Sequence, residues 1–161
     1  QMKKYIILLL AMTLIVSCTQ VTSTTSNGFG PRDFPITMGS QSSVDVVIAM
    51  DQLWKEGDFD GMREHISDSA RFVWEDGKVH SGEEFINSLK SDSLMYSWTF
   101  DWAFSVKDDN PKETNEWVNA GFNGVTTTKS GDTIGRAHYN EWYQINKDGK
   151  ISFWFNTKAN R

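Results

Sequence analysis

The chain has a single cysteine, Cys18, which excludes an intramolecular disulfide and any multi-cysteine metal site. Its three histidines, His65, His80 and His138, fall on separate segments without ligand spacing, so no metal site is expected. Positive charge is also scarce. With 16 Lys and Arg against 21 Asp and Glu, the net charge is −5 and there is no basic stripe, which argues against nucleic acid, whose affinity rests largely on neutralised phosphates. A glycine-rich phosphate loop, a G-x-S-x-G elbow and an internal repeat are all missing, and no cofactor is expected. What the chain does have is aromatic volume: 13% of its 161 residues, including 7 Trp and 10 Phe, enough for a lined cavity or a broad sheet-packing surface within one domain.

Residues 1–17 read as a signal peptide. Lys3 and Lys4 precede an apolar run from Tyr5 to Val16, which falls short of the roughly 20 residues of a membrane-crossing helix. The run ends in Ile15-Val16-Ser17-Cys18, which resembles the lipobox of bacterial lipoproteins, and the only cysteine occupies the position that pattern requires. The resemblance implies lipidation of Cys18, hence an address in the bacterial cell envelope with the membrane contacted through the lipid anchor only. Thr19 is not an aspartate, which in a Gram-negative member of that class would imply outer-membrane rather than inner-membrane sorting. Residues 18–42, rich in Thr, Ser, Asn and Gly, are expected to be a flexible tether, leaving 43–161 as the folded domain.

Within that domain, Asp76-Gly77 sits between apolar runs as a two-residue hairpin turn would. That turn would put Phe72, Trp74 and Val79 on one face and Glu75, Lys78 and His80 on the other. Ser81 with Glu84 three residues on spells a capping box, opening a helix with Phe85, Ile86 and Leu89 inward. Upstream, Ser42 or Ser43 is expected to cap a helix to about Glu56, with Val44, Val47, Met50 and Trp54 at helical spacing. Gly57 ends it and Asp58 caps a shorter helix to Ile66.

After the third helix the period changes to two. Residues 96–106 alternate throughout, with Tyr96, Trp98, Phe100, Trp102, Phe104 and Val106 on one face. Further strands are expected at about 116–128, 133–145 and 151–157. The order is helix, helix, hairpin, helix, then a four-stranded antiparallel meander: an α+β domain whose curved sheet wraps the helices.

Residues 54–86, WKEGDFDGMREHISDSARFVWEDGKVHSGEEFI, and 141–155, EWYQINKDGKISFWF, are similar to the nuclear transport factor 2-like superfamily, SnoaL-like members in particular. The landmarks are Gly57-Asp58, Ser69-Ala70, Gly82-Glu83-Glu84 and Asp148-Gly149-Lys150-Ile151. The resemblance implies a cone-shaped, cystatin-like barrel of three N-terminal helices in a strongly curved, mostly antiparallel sheet. An apolar pocket would lie between the first helix and the concave sheet, and such domains are often dimeric. Members include isomerases, cyclases, epoxide hydrolases, dehydratases and pure binding modules, so fold does not decide function.

Matched on these landmarks, the carboxylate base and two proton donors of ketosteroid isomerase chemistry fall on Trp74, Met50 and His138. Two of the three are inert, so that mechanism is not supported. His138 is the candidate acid or base, since imidazole changes charge near neutral pH, and Asp51, at the edge of the first helix's apolar arc, is a candidate pocket acid. The resemblance turns Arg136, His138, Asn140 and Trp142 toward the pocket. The opposite face, Tyr139, Glu141, Tyr143 and Ile145, is more apolar than solvent warrants. Either the inward assignment is reversed, or both faces are covered and the outer one joins two subunits. Pairing Asn146 with Lys150 would place Trp154 and Asn156 with His138; a tighter Asp148-Gly149 turn would reverse this. Trp54, Trp74, Trp98, Trp102 and Trp154, with Met50, complete the candidate lining. Three readings stay open: a pocket for a small, largely apolar molecule, a SnoaL-like enzyme using His138, or a module dimerising through its outer sheet face.

Overall fold

A computed structural model describes residues 34–161. Three helices, α1 (Gln41–Glu56), α2 (Phe59–Glu64) and α3 (Gly82–Ser91), pack against one curled sheet of seven strands. The strands are β1 (Ile36–Met38), β2 (Ile66–Val73), β3 (Val79–Ser81), β4 (Met95–Asp108), β5 (Glu116–Thr127), β6 (Thr133–Ile145) and β7 (Ile151–Asn160), in the spatial order β1-β4-β5-β6-β7-β2-β3. The four long strands form the expected antiparallel meander; the β2–β3 hairpin extends it by pairing β2 parallel to β7. The result is an α+β cone with helices in its concavity. The expected signal peptide, Cys18 and most of the expected tether lie outside the described residues, but the expected tether's described end supplies β1, an edge strand pairing Met38 with Val106.

Local chemistry sets the helix ends. α1 begins earlier than expected, because Ser40, not Ser42 or Ser43, is its cap: Ser40 Oγ accepts from the Ser43 amide at 3.3 Å. Ser40 also donates its N–H and hydroxyl to Glu116 Oε2 at 2.8 and 2.7 Å, which fastens the helix start to β5. Gly57, at φ 74°, closes the other end in the left-handed conformation that suits glycine. The Ser81–Glu84 capping box is present in both directions. α3 thereby seats Phe85 and Ile86, both fully buried, against β2. With Val47, Met62, Val118, Ala120 and Ile151 they form the core.

Three register features differ from the sequence expectation, and each moves side chains between faces. The first hairpin closes with three residues, Glu75 to Gly77: the Trp74 amide bonds the Lys78 carbonyl at 3.0 Å, and Gly77 takes φ 81°. Phe72 therefore pairs with His80 and Val73 with Val79, so Val79 turns out to solvent while His80 lies beside Trp74. In β4, Asp101 is an extra residue, since Phe100 pairs with Phe122 and Trp102 with Gly121. One unpaired residue inverts the alternation. Trp98 and Phe100 face inward, but beyond the bulge Ala103 and Ser105 do, leaving Trp102 and Phe104 outside, 40% and 39% exposed. In β7, Ser152 is the extra residue, its hydroxyl donating to the Gln144 carbonyl at 3.2 Å.

Candidate functional site

Between α1, α3 and the concave sheet lies a cavity of 520 Å³ with one open side. The inner face of β6 is Ala137, Tyr139, Glu141, Tyr143 and Ile145, which includes the four residues more apolar than solvent warrants, Tyr139, Glu141, Tyr143 and Ile145. The first of the two alternatives thus holds: the expected inward face was the reverse one. His138, Asn140 and Trp142 point outward, paired across β5 with Asn123, Gly121 and Asn119. His138 Nδ1 is 3.4 Å from Asn123 Oδ1, and Asn140 exchanges amide hydrogen bonds with Asn119. Trp102 is outside for the reason given by the Asp101 bulge. Trp154 and Asn156 do line the cavity, because the Ser152 bulge sets them opposite Tyr143 and Glu141 rather than beside His138. Of the candidates from sequence, the structure brings together Met50, Asp51, Trp54, Trp74, Trp98, Trp154 and Asn156, and separates His138, Asn140, Trp142 and Trp102 from them.

The buried end of the cavity carries the chemistry. Glu141 is 7% exposed, and its Oε2 accepts from the Trp154 indole at 3.0 Å and from the Tyr143 hydroxyl. Burial pushes the Glu141 carboxyl up to about 7, against the opposing effect of those two donors, and the charges of Asp51 and Glu75 push the same way. Burial also raises the Tyr143 hydroxyl well above its ordinary value, with Glu141 beside it adding to the shift. Next to them, the buried Oδ1 of Asn156 has no hydrogen-bond partner among the described residues. Aromatic rings wall this end: Phe85 lies 4.1 Å from Phe72, 5.4 Å from Trp154 and 5.5 Å from both Trp54 and Trp74, centroid to centroid.

The open end is ionic. Asp51 accepts from Lys55 Nζ at 2.7 Å and from the Trp98 indole at 2.6 Å, and Lys158 stands 3.8 Å from Glu75. Tyr96 donates to Asp92 at 2.9 Å; burial and that carboxylate raise its hydroxyl. Asp51 lines the cavity with its carboxylate paired to Lys55 and to the Trp98 indole.

Glu141 and Tyr143 are the principal groups that sequence reasoning passed over as candidates. Their signal was present in the apolarity of the face they share with Ile145, and what hid it was the direction of the strand. Of the three positions that isomerase chemistry would use, Trp74 and Met50 lie at the cavity and His138 lies across the sheet from it. A buried carboxyl pushed up to about 7 and a tyrosine hydroxyl bonded to it are groups that could exchange a proton with a bound molecule. No helix among the described residues is long and apolar enough to cross a membrane.

No known family profile and no curated protein matches the chain. Solved structures do match in fold. A ketosteroid isomerase-like protein from Erwinia carotovora atroseptica superposes at TM-score 0.59 with 13% identity, over 74% of this chain and 95% of that one. An epoxide hydrolase of the LEH-like kind from M. tuberculosis does so at 0.55 with 11% identity, over 74% and 84%. An uncharacterised protein with a cystatin-like fold from Caulobacter vibrioides does so at 0.60 with 13% identity, over 76% and 90%. At these identities the likeness is one of fold.

Proposed function

On the premise of that shared cone, we propose that the domain binds a small, largely apolar molecule between α1 and the concave sheet, and that a lipid on Cys18 holds it in the bacterial cell envelope, at the outer membrane. The observation that carries the binding reading is the 520 Å³ cavity itself, open on one side and walled by aromatic rings around a single buried polar group of Glu141, Tyr143 and Asn156. Ligand pockets combine apolar walls with few convergent polar groups in this way. Native mass spectrometry of the chain from its own cell tests both parts: a retained small molecule and a diacylglyceryl mass are expected. A bare chain that takes up no small molecule would contradict the binding reading, and membrane retention of a Cys18→Ser variant would contradict the anchor.

A second reading, proton transfer on the bound molecule, is favoured by the buried Glu141 carboxyl hydrogen-bonded to the Tyr143 hydroxyl at the cavity wall, where burial raises its proton affinity. The acid–base role then belongs to Glu141, with Tyr143, in place of His138. Self-association belongs to the same proposal. Trp102, Phe104, Trp117, Trp142 and Phe153 form a continuous chain of ring contacts on the outer sheet face, with centroids 5.8 to 6.4 Å apart. We assign that face to a homodimer. Sedimentation should find two copies, and Trp102→Glu should give one; a wild-type monomer at micromolar concentration would remove the assignment.

A further inference from the structure

Among the described residues, the buried end of the cone contains an acid and acceptors but no counter-ion. Glu141 Oε2 takes both of its hydrogen bonds from neutral groups, the Tyr143 hydroxyl and the Trp154 indole, and neither donor engages Oε1. Asn156, its cross-strand partner, adds a buried oxygen with no partner. The two lysines of the cavity wall are committed at the rim: Lys55 to Asp51 at 2.7 Å and Lys158 to Glu75 at 3.8 Å. Each also lies over a ring of the wall, Lys55 5.6 Å from the Trp98 centroid and Lys158 5.7 Å from that of Tyr139. The protein's own ammonium groups therefore already occupy cation–π positions on the wall, and the positions deeper in are left without a cation.

We propose that the molecule held in the cone is an amphipathic organic cation, an apolar or aromatic body carrying a protonated amine that reaches Glu141 and Asn156. This deepens the ligand-binding reading and rests on it. A buried carboxylate without a cation is costly, and an ammonium from the ligand supplies one while the aromatic faces take the rest of the positive charge. An anionic ligand would meet Glu141, Asp51, Glu75 and Asp92 with no free base to offset them. A neutral alcohol could satisfy Asn156 Oδ1 but would leave the carboxylate unpaired.

Three probes with one indole body separate these cases: tryptamine, tryptophol and indole-3-acetate, titrated calorimetrically into the full chain at about pH 8.5, where the Glu141 carboxyl is ionised. Tryptamine should bind about tenfold or more tighter than tryptophol, with indole-3-acetate weakest. Glu141→Gln should bring tryptamine and tryptophol to within about threefold of each other. Where that variant does not fold, the wild type at about pH 5.5 gives the same reading, because Glu141 is then protonated while the amine stays charged. The other titratable groups that face the cavity are Asp51 and Lys55 of α1, Glu75 of the hairpin turn, Asp92 after α3 and Lys158 of β7, with His80 beside Trp74. Tryptophol binding as tightly as tryptamine, or a preference that survives Glu141→Gln and acid, overturns the inference and leaves the ligand pocket standing. Failure of all three probes to bind overturns the pocket reading itself.

Discussion

The two faces of β6 differ in what their polar groups have for company. Inside, Glu141 and Tyr143 are desolvated among Trp154, Phe72 and Phe85, and the carboxyl is driven up to about 7. Outside, His138 and Asn140 are answered by Asn123 and Asn119, and the aromatic rings there mostly contact one another. The same strand thus carries a buried acid among aromatic rings and an imidazole in a polar row. Residue type alone favours the histidine for acid–base work; under the proton-transfer reading proposed above, environment moves that role to the glutamate.

The largest effect should separate the faces by packing. Phe85→Ala, at a fully buried ring in contact with four other rings, should cost about 3–5 kcal/mol, whereas Phe104→Ala on the outer face should cost about 1 kcal/mol. Urea denaturation measures both, and equal losses would break the contrast. Next comes pH. Folding raises the Glu141 carboxyl from 4.5 to about 7, so the native state holds that proton more tightly than the unfolded chain. Its stabilising contribution is full below the unfolded value and disappears as pH rises through the folded one, a fall of about 3 kcal/mol. Denaturation midpoints at pH 5 and 8 should show this decline in the wild type and a flatter profile in Glu141→Gln. A wild type that gains stability over that interval would contradict the assignment.

How much of this was readable beforehand follows from where one-residue shifts occur. The capping box at Ser81, the stop at Gly57 and the three long strands after Pro111 were written in local residue types, and they stand where spacing put them. The faces were not. The alternation of residues 96–106 is unbroken in sequence, yet Asp101 bulges out. The clue lay one strand away: Gly121, opposite Trp102, is where a Cβ would come within 2.4 Å of that indole, so the ring lies over bare backbone on the outside. Ser152 shifts β7 in the same manner, and a third residue in the Asp76-Gly77 turn moves Val79 outward. Register is set by partners, and a single strand read alone does not name them.

Smaller effects sharpen the inner site. Trp154→Phe keeps an aromatic side chain but removes the donor to Glu141, and beyond a pH-independent packing loss should cost about 1–2 kcal/mol more above pH 7 than below it, since hydrogen bonds to a charged acceptor are the stronger ones. A loss independent of pH would mean that the indole N–H does not act on the carboxylate. Smallest is His138→Ala, expected to change stability by no more than about 0.5 kcal/mol and tryptamine affinity not at all. A large loss of affinity there would return the site to the outer face.

The seven tryptophans divide between the faces, Trp54, Trp74, Trp98 and Trp154 at the cavity, Trp102, Trp117 and Trp142 outside, and their indole N–H resonances report both at once. In nitrogen-labelled protein titrated with unlabelled tryptamine, the first four should shift and saturate together while the other three stay in place. Saturable movement confined to Trp102, Trp117 and Trp142 would contradict the account.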